Sequence, residues 1–211
     1  MKKGLFSLVA SRRFGPFFFT QFLGAFNDNV FRQALILLIA SGVVTGLSVN
    51  TLNNVALALF IVPFFLFSAL AGQVADKYDK ATLVRKIKFA EICIMSVAAA
   101  GFYFDAVYFL LGVLFCMGLQ STFFGPIKYS IIPQHLDDKE LVSGNALVEM
   151  GTFLAILLGS ISGVLLKMEG VGDGVVATTV VGLALIGYLS ARAIPSAPAA
   201  DSGLKLNWNL F

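Results

Sequence analysis

The sequence predicts an all-α membrane protein in which six transmembrane helices form one bundle and both termini are cytoplasmic. First, the 211 residues are 58% hydrophobic and 13% charged, with a mean hydropathy of +0.87, more apolar than a water-soluble domain. Second, six apolar segments follow one another, most of them close to the ~20 residues that cross a bilayer as a helix, and the first is longer and can cross with tilt. Third, the basic residues are divided unequally between the segments that connect them.

The densest charged segment is residues 72–88, GQVADKYDKATLVRKIK, which carries five of the fifteen basic residues. Positive charge beside a span resists translocation, so this segment is expected on the cytoplasmic side. With six spans assigned, thirteen basic residues fall on that side, Lys167 falls on the other, and Arg32 lies within a span. The distribution therefore indicates orientation in a membrane, and no nucleic-acid partner is predicted.

The first span, residues 14–42, has a polar middle that contains Gln21, Asn27, Asp28, Asn29 and Arg32. At 3.6 residues per turn, Gln21, Asp28 and Arg32 share one face with Gly24, and the four-residue spacing lets Asp28 pair with Arg32. Intramembrane charges face a cavity or one another. The functional interpretation places this face on the wall of a cavity, where Arg32 would bind an anionic group of a substrate and Asp28 a cationic group. The structural alternative is a self-contained ion pair that orders the helix.

The next three spans are residues 55–70, 84–103 and 107–124. Pro63 predicts a kink within the second span. Gly125 and Pro126 predict a distortion at the end of the fourth, just before Lys128. Lys128 is a candidate for contact with a substrate, with Gln120 as a secondary candidate, although a lysine that snorkels to the interface is an equal alternative for Lys128.

The fifth helix is predicted to begin with a capping box in which Asp137 is the N-cap and Glu140 lies three residues on. Small residues then recur at four- and seven-residue offsets, which lets another helix approach closely. They are Gly144, Gly151, Ala155, Gly159 and Gly163. An external loop at 167–174 and a sixth span at 175–193 follow. Residues 1–193 thus form the bundle, and the Pro, Ala and Ser of residues 194–211 predict a cytoplasmic linker.

The remaining charged residues inside the spans are predicted to be structural. Glu91 can pair with Lys88 three residues earlier, and Glu149 can face the basic segment. Cys93 and Cys116 fall in apolar spans and are predicted to be small packing residues.

Several motifs carry a family resemblance. Residues 72–81 resemble the G-x-L-A-D-[RK]-x-G-[RK]-[RK] pattern of the cytoplasmic loop between the second and third helices of major facilitator superfamily transporters, with Asp79 in place of the usual glycine. Four segments, ADKYDK, QFLGAFNDNVFRQAL, FFGPIKYSIIPQHL and LVSGNALVEMGTFLAILLG, resemble the lysophospholipid transporter branch of that superfamily. They occur in order over most of the chain, which resembles the N-terminal half of such a transporter.

The resemblance implies a transporter that moves lysophospholipids, lysophosphatidylethanolamine first among them, across the bacterial inner membrane to the cytoplasmic leaflet for re-acylation. It gives a conformational role to Gly72, Asp76, Lys77 and Lys80, whose partner surface would lie in a second half. The substrate site of the family lies between two halves, so a missing C-terminal half or a second copy is an expected partner. Membrane lipids and an acyltransferase are the other partners implied.

Two other functions stay open. A proton-coupled exporter of small amphipathic drugs would need an unpaired intramembrane carboxylate, and a half-length scaffold would not transport at all. An enzyme is not predicted, because Glu140 stands where an H-x-x-x-x-D acyltransferase motif beginning at His135 would need aspartate. One histidine and two separated cysteines give no zinc site, and no metal or cofactor is predicted.

Overall fold

A computed structural model describes residues 5–43, 46–167 and 173–207. The helices in this part of the chain are α1 (Gly15–Ala40), α2 (Val49–Lys77), α3 (Lys80–Tyr103), α4 (Val107–Ser130), the four-residue α5 (Ile132–His135), α6 (Leu141–Leu165) and α7 (Asp173–Arg192). Short 3-10 helices at Leu5–Ser7 and Asp138–Glu140 precede α1 and α6. The described residues contain no strand, so the predicted all-α class is confirmed.

Four helices of the described chain are long and apolar enough to cross a membrane: Val49–Lys77, Val107–Ser130, Asp138–Leu165 and Gly174–Arg192. Helices α1 and α3 have 26 and 24 residues but carry more polar and charged side chains, and they fall outside this group. Six spans with cytoplasmic termini therefore stay a prediction. Most of the predicted external loop at 167–174 and the last four residues of the predicted linker lie outside the described residues.

Helix α1 packs mainly against α6 and α7, α2 packs against α4, and α3 packs against α7 and α4. The small residues of α6 face α1, as their spacing predicted. A Cβ added at Gly159 would lie 2.5 Å from the carbonyl oxygen of Phe26, and one at Gly163 would lie 2.8 Å from that of Val30. Because backbone occupies the space that a side chain would need, α1 and α6 are in direct contact along these positions.

Two apolar clusters lie at different levels of the bundle. The first joins residues 30–39 of α1 to parts of α2, α3, α4 and α7, and includes Phe31 and Phe102. The second contains Phe14 and Phe17 together with buried residues near the junctions of α2 with α3 and α4 with α6. The polar residues 21–29 of α1 lie between the two clusters along the helix. A polar layer is therefore enclosed by apolar packing on both sides.

The charged segment 72–88 was expected to connect the second and third spans as a loop, and that part of the prediction is wrong, because most of the segment is helical. Helix α2 continues through Gly72, Asp76 and Lys77, and α3 begins at Lys80, so only two residues connect the helices. Asp79 is the N-cap of α3, and its side chain accepts a hydrogen bond from the Thr82 backbone N–H at 2.7 Å. This side-chain cap satisfies a helix donor that would otherwise be unpaired, which is why aspartate suits the turn.

Residues 194–207 pack back onto this junction. The Ser196 hydroxyl and the Ala197 N–H donate to Oδ2 of Asp79 at 2.9 and 3.0 Å. The N–H of Lys80 donates to the Ala197 carbonyl at 2.7 Å, and its buried ammonium donates to the Pro198 carbonyl at 3.3 Å. Lys80, to which the resemblance gave a conformational role with a partner surface in a second half, therefore has partners within its own chain.

Asp79 carries the charge of this contact. Its partial burial raises the pKa, but the hydrogen bonds from Thr82, Ser196 and Ala197 outweigh that effect and hold the pKa of Asp79 below its ordinary value. The ionised carboxylate is thus the form that ties residues 194–207 to the start of α3.

The connection from α4 to α6 agrees with the prediction only in part. Helix α4 runs through Gly125 and Pro126 to Ser130, so the predicted distortion before Lys128 does not end the helix. The capping box of Asp137 with Glu140 is confirmed, and it opens the 3-10 turn that leads into α6. Arg13 Nη2 also donates to Glu140 Oε1 at 2.6 Å, which attaches the start of α1 to this turn.

The two cysteines are not packing residues as predicted. Cys93 on α3 and Cys116 on α4 are both exposed, and they line an apolar groove between the two helices with Tyr108 and Phe109. Their thiols face the outer surface of the bundle.

Candidate functional site

The polar layer contains a cavity of about 310 Å³, here called the central cavity, which is lined by α1, α2, α3, α4 and α6. Four ionisable side chains line it, two of each sign: Asp28, Lys88, Glu91 and Lys128. Phe60, Phe64 and Phe124 form apolar parts of the same wall. A molecule in this cavity would meet both signs of charge and aromatic surface.

Lys88 and Glu91 form an ion pair at 2.6 Å, and only 2% of each side chain is exposed. The predicted pairing is confirmed, but Lys88 does not lie in a cytoplasmic loop as its place in the basic segment suggested. It lies eight residues into α3, about 12 Å along the helix axis. A Cβ at Gly24 would collide with its ammonium group, so this glycine provides space for Lys88 beside α1.

Glu91 has two further partners that fix its carboxylate. Gln120 Nε2 donates to Oε2 and Asn27 Nδ2 donates to Oε1, both at 3.4 Å. Asn27 is fully buried and also donates to the Val180 carbonyl of α7 at 3.0 Å. It lines neither this cavity nor the one described below, so the structure places the predicted substrate residue Asn27 behind Glu91.

Asp28 faces α4, where the Ser121 hydroxyl donates to its Oδ2 at 3.1 Å. The predicted pair with Arg32 is wrong, because no salt bridge joins the two among the described residues. Arg32 Nη2 instead donates to Asn29 Oδ1 at 2.7 Å. The carboxylate of Asp28 is therefore held by a hydroxyl and has no cationic partner at salt-bridge distance.

Arg32 belongs to a second cavity of about 320 Å³ between α1, α2 and α4, here called the Arg32 cavity. Gln33, Asn53 and Asn54 also line it, and it shares no lining residue with the central cavity. The polar face predicted for the first span is thus divided, with Gln21 and Asp28 in one cavity and Arg32 in the other.

Lys128 lies at the edge of the central cavity with 13% of its side chain exposed. Its ammonium donates to Thr152 Oγ1 at 2.9 Å and lies 3.2 Å from Glu149 Oε1. Thr152 in turn donates to Oε1 of Gln21 at 3.1 Å. Glu149 therefore pairs with Lys128 and not with the basic segment, and Gln21 and Lys128 are joined through one hydroxyl.

Sequence reasoning missed several residues of this site. Lys88 was counted among the cytoplasmic basic residues because it ends the charged segment, so its place at the central cavity was not predicted, although its spacing from Glu91 was a signal. Thr152 follows Gly151 in the small-residue stripe, so its place near α1 could have been inferred. Ser121 and the phenylalanines of α2 gave no local signal, because only the packing of α2 against α4 brings them to the cavity. Neither cavity is lined by the residues that were given a conformational role, Gly72, Asp76, Lys77 and Lys80.

The described residues contain no group of three histidine, cysteine, aspartate or glutamate side chains that could hold a metal ion.

Comparison with curated proteins finds lysophospholipid transporters. The lysophospholipid transporter LplT of Escherichia fergusonii is 32% identical over 195 residues, and those of Escherichia coli and Shigella boydii are 34% identical over 192 residues. Each alignment covers 90% of this chain and 45% of the relative, so the chain spans about half the length of the curated relatives it matches.

A family model described as transmembrane secretion effector, one of the major facilitator models, matches residues 20–199. The resemblance inferred from the motifs is therefore confirmed over most of the chain. The chain belongs to the transmembrane secretion effector family of major facilitator superfamily transporters.

Proposed function

We propose that this chain is one six-helix half of a transporter that moves lysophospholipids across the bacterial inner membrane towards the cytoplasmic leaflet, where they are re-acylated. The observation that carries the proposal is the central cavity, where two acidic and two basic side chains stand beside three phenylalanines. The names of the relatives support the same substrate class.

A lysophospholipid has a charged head and one acyl chain, and the wall of the central cavity provides for both. Its phosphate would be bound by Lys128, whose ammonium has one of its three donors on Thr152 and another towards Glu149. Its amine would be bound by Asp28, which has no cationic partner at salt-bridge distance among the described residues. Lysophosphatidylethanolamine is favoured because a primary ammonium donates three hydrogen bonds to such acceptors.

The other predicted site residues act around these two contacts. Gln120 holds Glu91 and accepts from Ser121 at 3.3 Å, so it lies between Glu91 and the hydroxyl that binds Asp28. Gln21 positions Thr152, and through it Lys128. The acyl chain would lie along Phe60 and Phe64 of α2.

A complete path requires a partner, since the chain spans about half the length of its relatives. The partner is a second half or a second copy that faces the central cavity. Gly72, Asp76, Lys77 and Lys80 would change contacts at the α2–α3 junction during transport. An acyltransferase that receives the lipid is a further proposed partner.

Uptake into spheroplasts tests the function. Head-group-labelled lysophosphatidylethanolamine is supplied to cells that lack their own lysolipid transporter, with or without this chain. We expect uptake above background, and a loss of preference for the ethanolamine head group in Asp28→Asn. The matched control is Asp138→Asn, an exposed carboxylate outside the cavity. No uptake by the well-inserted chain, alone or co-expressed with the second half of a relative, would contradict the proposal.

One observation favours a second function, proton-coupled export of small amphipathic cations. Asp28 lacks an ion pair among the described residues, which is the feature that such an exporter requires, and the family is described as a secretion effector. Efflux of a cationic dye driven by a pH gradient in inverted vesicles separates the two functions. Dye export that Asp28→Asn abolishes would favour this function. Uptake of the labelled lysophospholipid without any export of the dye would favour the first.

A further inference from the structure

Arg32 is a cation at an apolar level of the bundle without an acidic partner. In the described chain it makes no salt bridge, and its one side-chain hydrogen bond is the donation to Asn29. A guanidinium has five N–H donors, so most of them remain available. A structural arginine at such a depth would normally be paired with a carboxylate. The available donors point to an anion that binds here.

The side chains around Arg32 are uncharged amides. Gln33, Asn53 and Asn54 line the same cavity, and each offers an NH₂ group as well as a carbonyl. The Oδ1 atom of Asn53 is buried and has no hydrogen-bond partner, an arrangement that normally costs stability. A ligand that combines anionic oxygens with a hydroxyl or ammonium donor would satisfy both Arg32 and this carbonyl.

Part of the lining of the Arg32 cavity is apolar. Leu35 and Leu114 belong to the first apolar cluster, whereas Leu57 is 53% exposed on the outer face of α2. The cavity therefore joins a polar end at Arg32 to an apolar surface on which an acyl chain can lie. A small inorganic anion would leave that apolar wall unused.

We propose that the Arg32 cavity is a second binding site, separate from the central cavity, for the phosphoester head group of a single-chain amphiphile. Its phosphate binds Arg32, the amides of Asn53 and Gln33 complete the contacts, and the chain lies along Leu57. Arg32 follows Asp28 by one helical turn, about 6 Å along α1, so one helix would contribute to two neighbouring binding sites for the head group. The binding site itself does not depend on the proposed function. Only the statement that the bound amphiphile is the transported lipid rests on that function.

Native mass spectrometry of the purified chain in neutral maltoside micelles, with dodecyl phosphate as the probe, tests the proposal. We expect two bound molecules in the wild type and one in Arg32→Gln, while the matched control Arg192→Gln, an exposed helical arginine, keeps two. Asn53→Leu leaves the charge in place and should raise the calorimetric Kd of one site about tenfold, which corresponds to ~1.4 kcal/mol. It also serves as the second variant if Arg32→Gln fails to fold.

Lys128→Gln separates the two proposals, because it should remove the molecule bound in the central cavity and leave the one at Arg32. If Arg32→Gln removes no bound molecule, the proposal of a second site is overturned. If Lys128→Gln removes no bound molecule, the result counts instead against the proposed function of the central cavity. Inorganic phosphate at the concentration of the dodecyl phosphate should not displace the Arg32-bound molecule. Displacement would show that the cavity binds a free anion and would overturn the proposal that its ligand is an amphiphile.

Discussion

The ion pair of Lys88 with Glu91 places two buried charges of opposite sign in the wall of the central cavity. Removing two charges from water is costly, and their attraction offsets this only when geometry and further hydrogen bonds are good. Here the carboxylate has both Asn27 and Gln120 as additional donors.

The first prediction concerns this pair. Lys88→Met should lower the free energy of unfolding by about 3–5 kcal/mol, since it leaves Glu91 buried without a counter-charge. The double variant Lys88→Met/Glu91→Leu should recover more than half of that loss. Denaturant unfolding in mixed micelles, followed by circular dichroism, measures both.

The control for this cycle is Arg13→Gln. Arg13 pairs with Glu140, but 38% of the Arg13 side chain is exposed, so its loss should cost less than about 1 kcal/mol. If Lys88→Met costs no more than Arg13→Gln, the pair is not buried in the way described.

At this scale the sequence was informative about which residues matter and less so about their partners. Asp28, Gln120 and Lys128 were predicted from charge and polarity within apolar runs, and all three line the central cavity. The Asp28–Arg32 pairing was wrong, because a four-residue spacing permits contact but neighbouring helices decide it. Ser121 and Asn29 offered better-placed partners.

At the scale of elements, helix boundaries were the weakest part of the prediction. Charged residues ended the predicted spans near Leu70 and Val84, yet the backbone remains helical through Lys77 and from Lys80. Charge changes where a helix meets the interface without ending its hydrogen bonding. The small-residue stripe of α6 was predicted correctly, because close packing of α1 demands it whatever the loops do.

The second prediction concerns the α2–α3 junction. Asp79→Ala should lower stability by about 1 kcal/mol through loss of the N-cap, and more through the lost contacts with Ser196 and Ala197. The pH dependence has a definite sign. Because folding lowers the pKa of Asp79 below its ordinary value of 3.8, its contribution is complete above that pH and is lost as the pH falls through the folded value.

Thermal unfolding, monitored by circular dichroism between about pH 6 and 2, should therefore show that the wild type loses more stability than Asp79→Asn as the pH falls below 3.8. Asp138→Asn, which alters an exposed aspartate, should follow the wild type. An identical pH profile for the wild type and Asp79→Asn would disprove the contribution of the Asp79 charge.

For the whole molecule, orientation follows from the thirteen basic residues predicted on one side. The third prediction is tested in a Cys93→Ser/Cys116→Ser background with a membrane-impermeant maleimide. Leu47→Cys, exposed before α2, should be labelled in intact cells, and Lys139→Cys, exposed before α6, only after the membrane is permeabilised. Labelling of Lys139→Cys in intact cells would reverse the orientation.

The contact of α1 with α6 has a consequence for how substrate range can evolve. At Gly159 and Gly163 the backbone of α1 leaves no room for a side chain, so the back of α1 cannot vary without a matching change in α6. The opposite walls of the central cavity are less constrained: Gln120, Ser121 and Thr152 are only partly buried and project from α4 and α6. Under the proposed function, single changes on these walls should therefore alter head-group preference, while the backbone of α1 stays fixed.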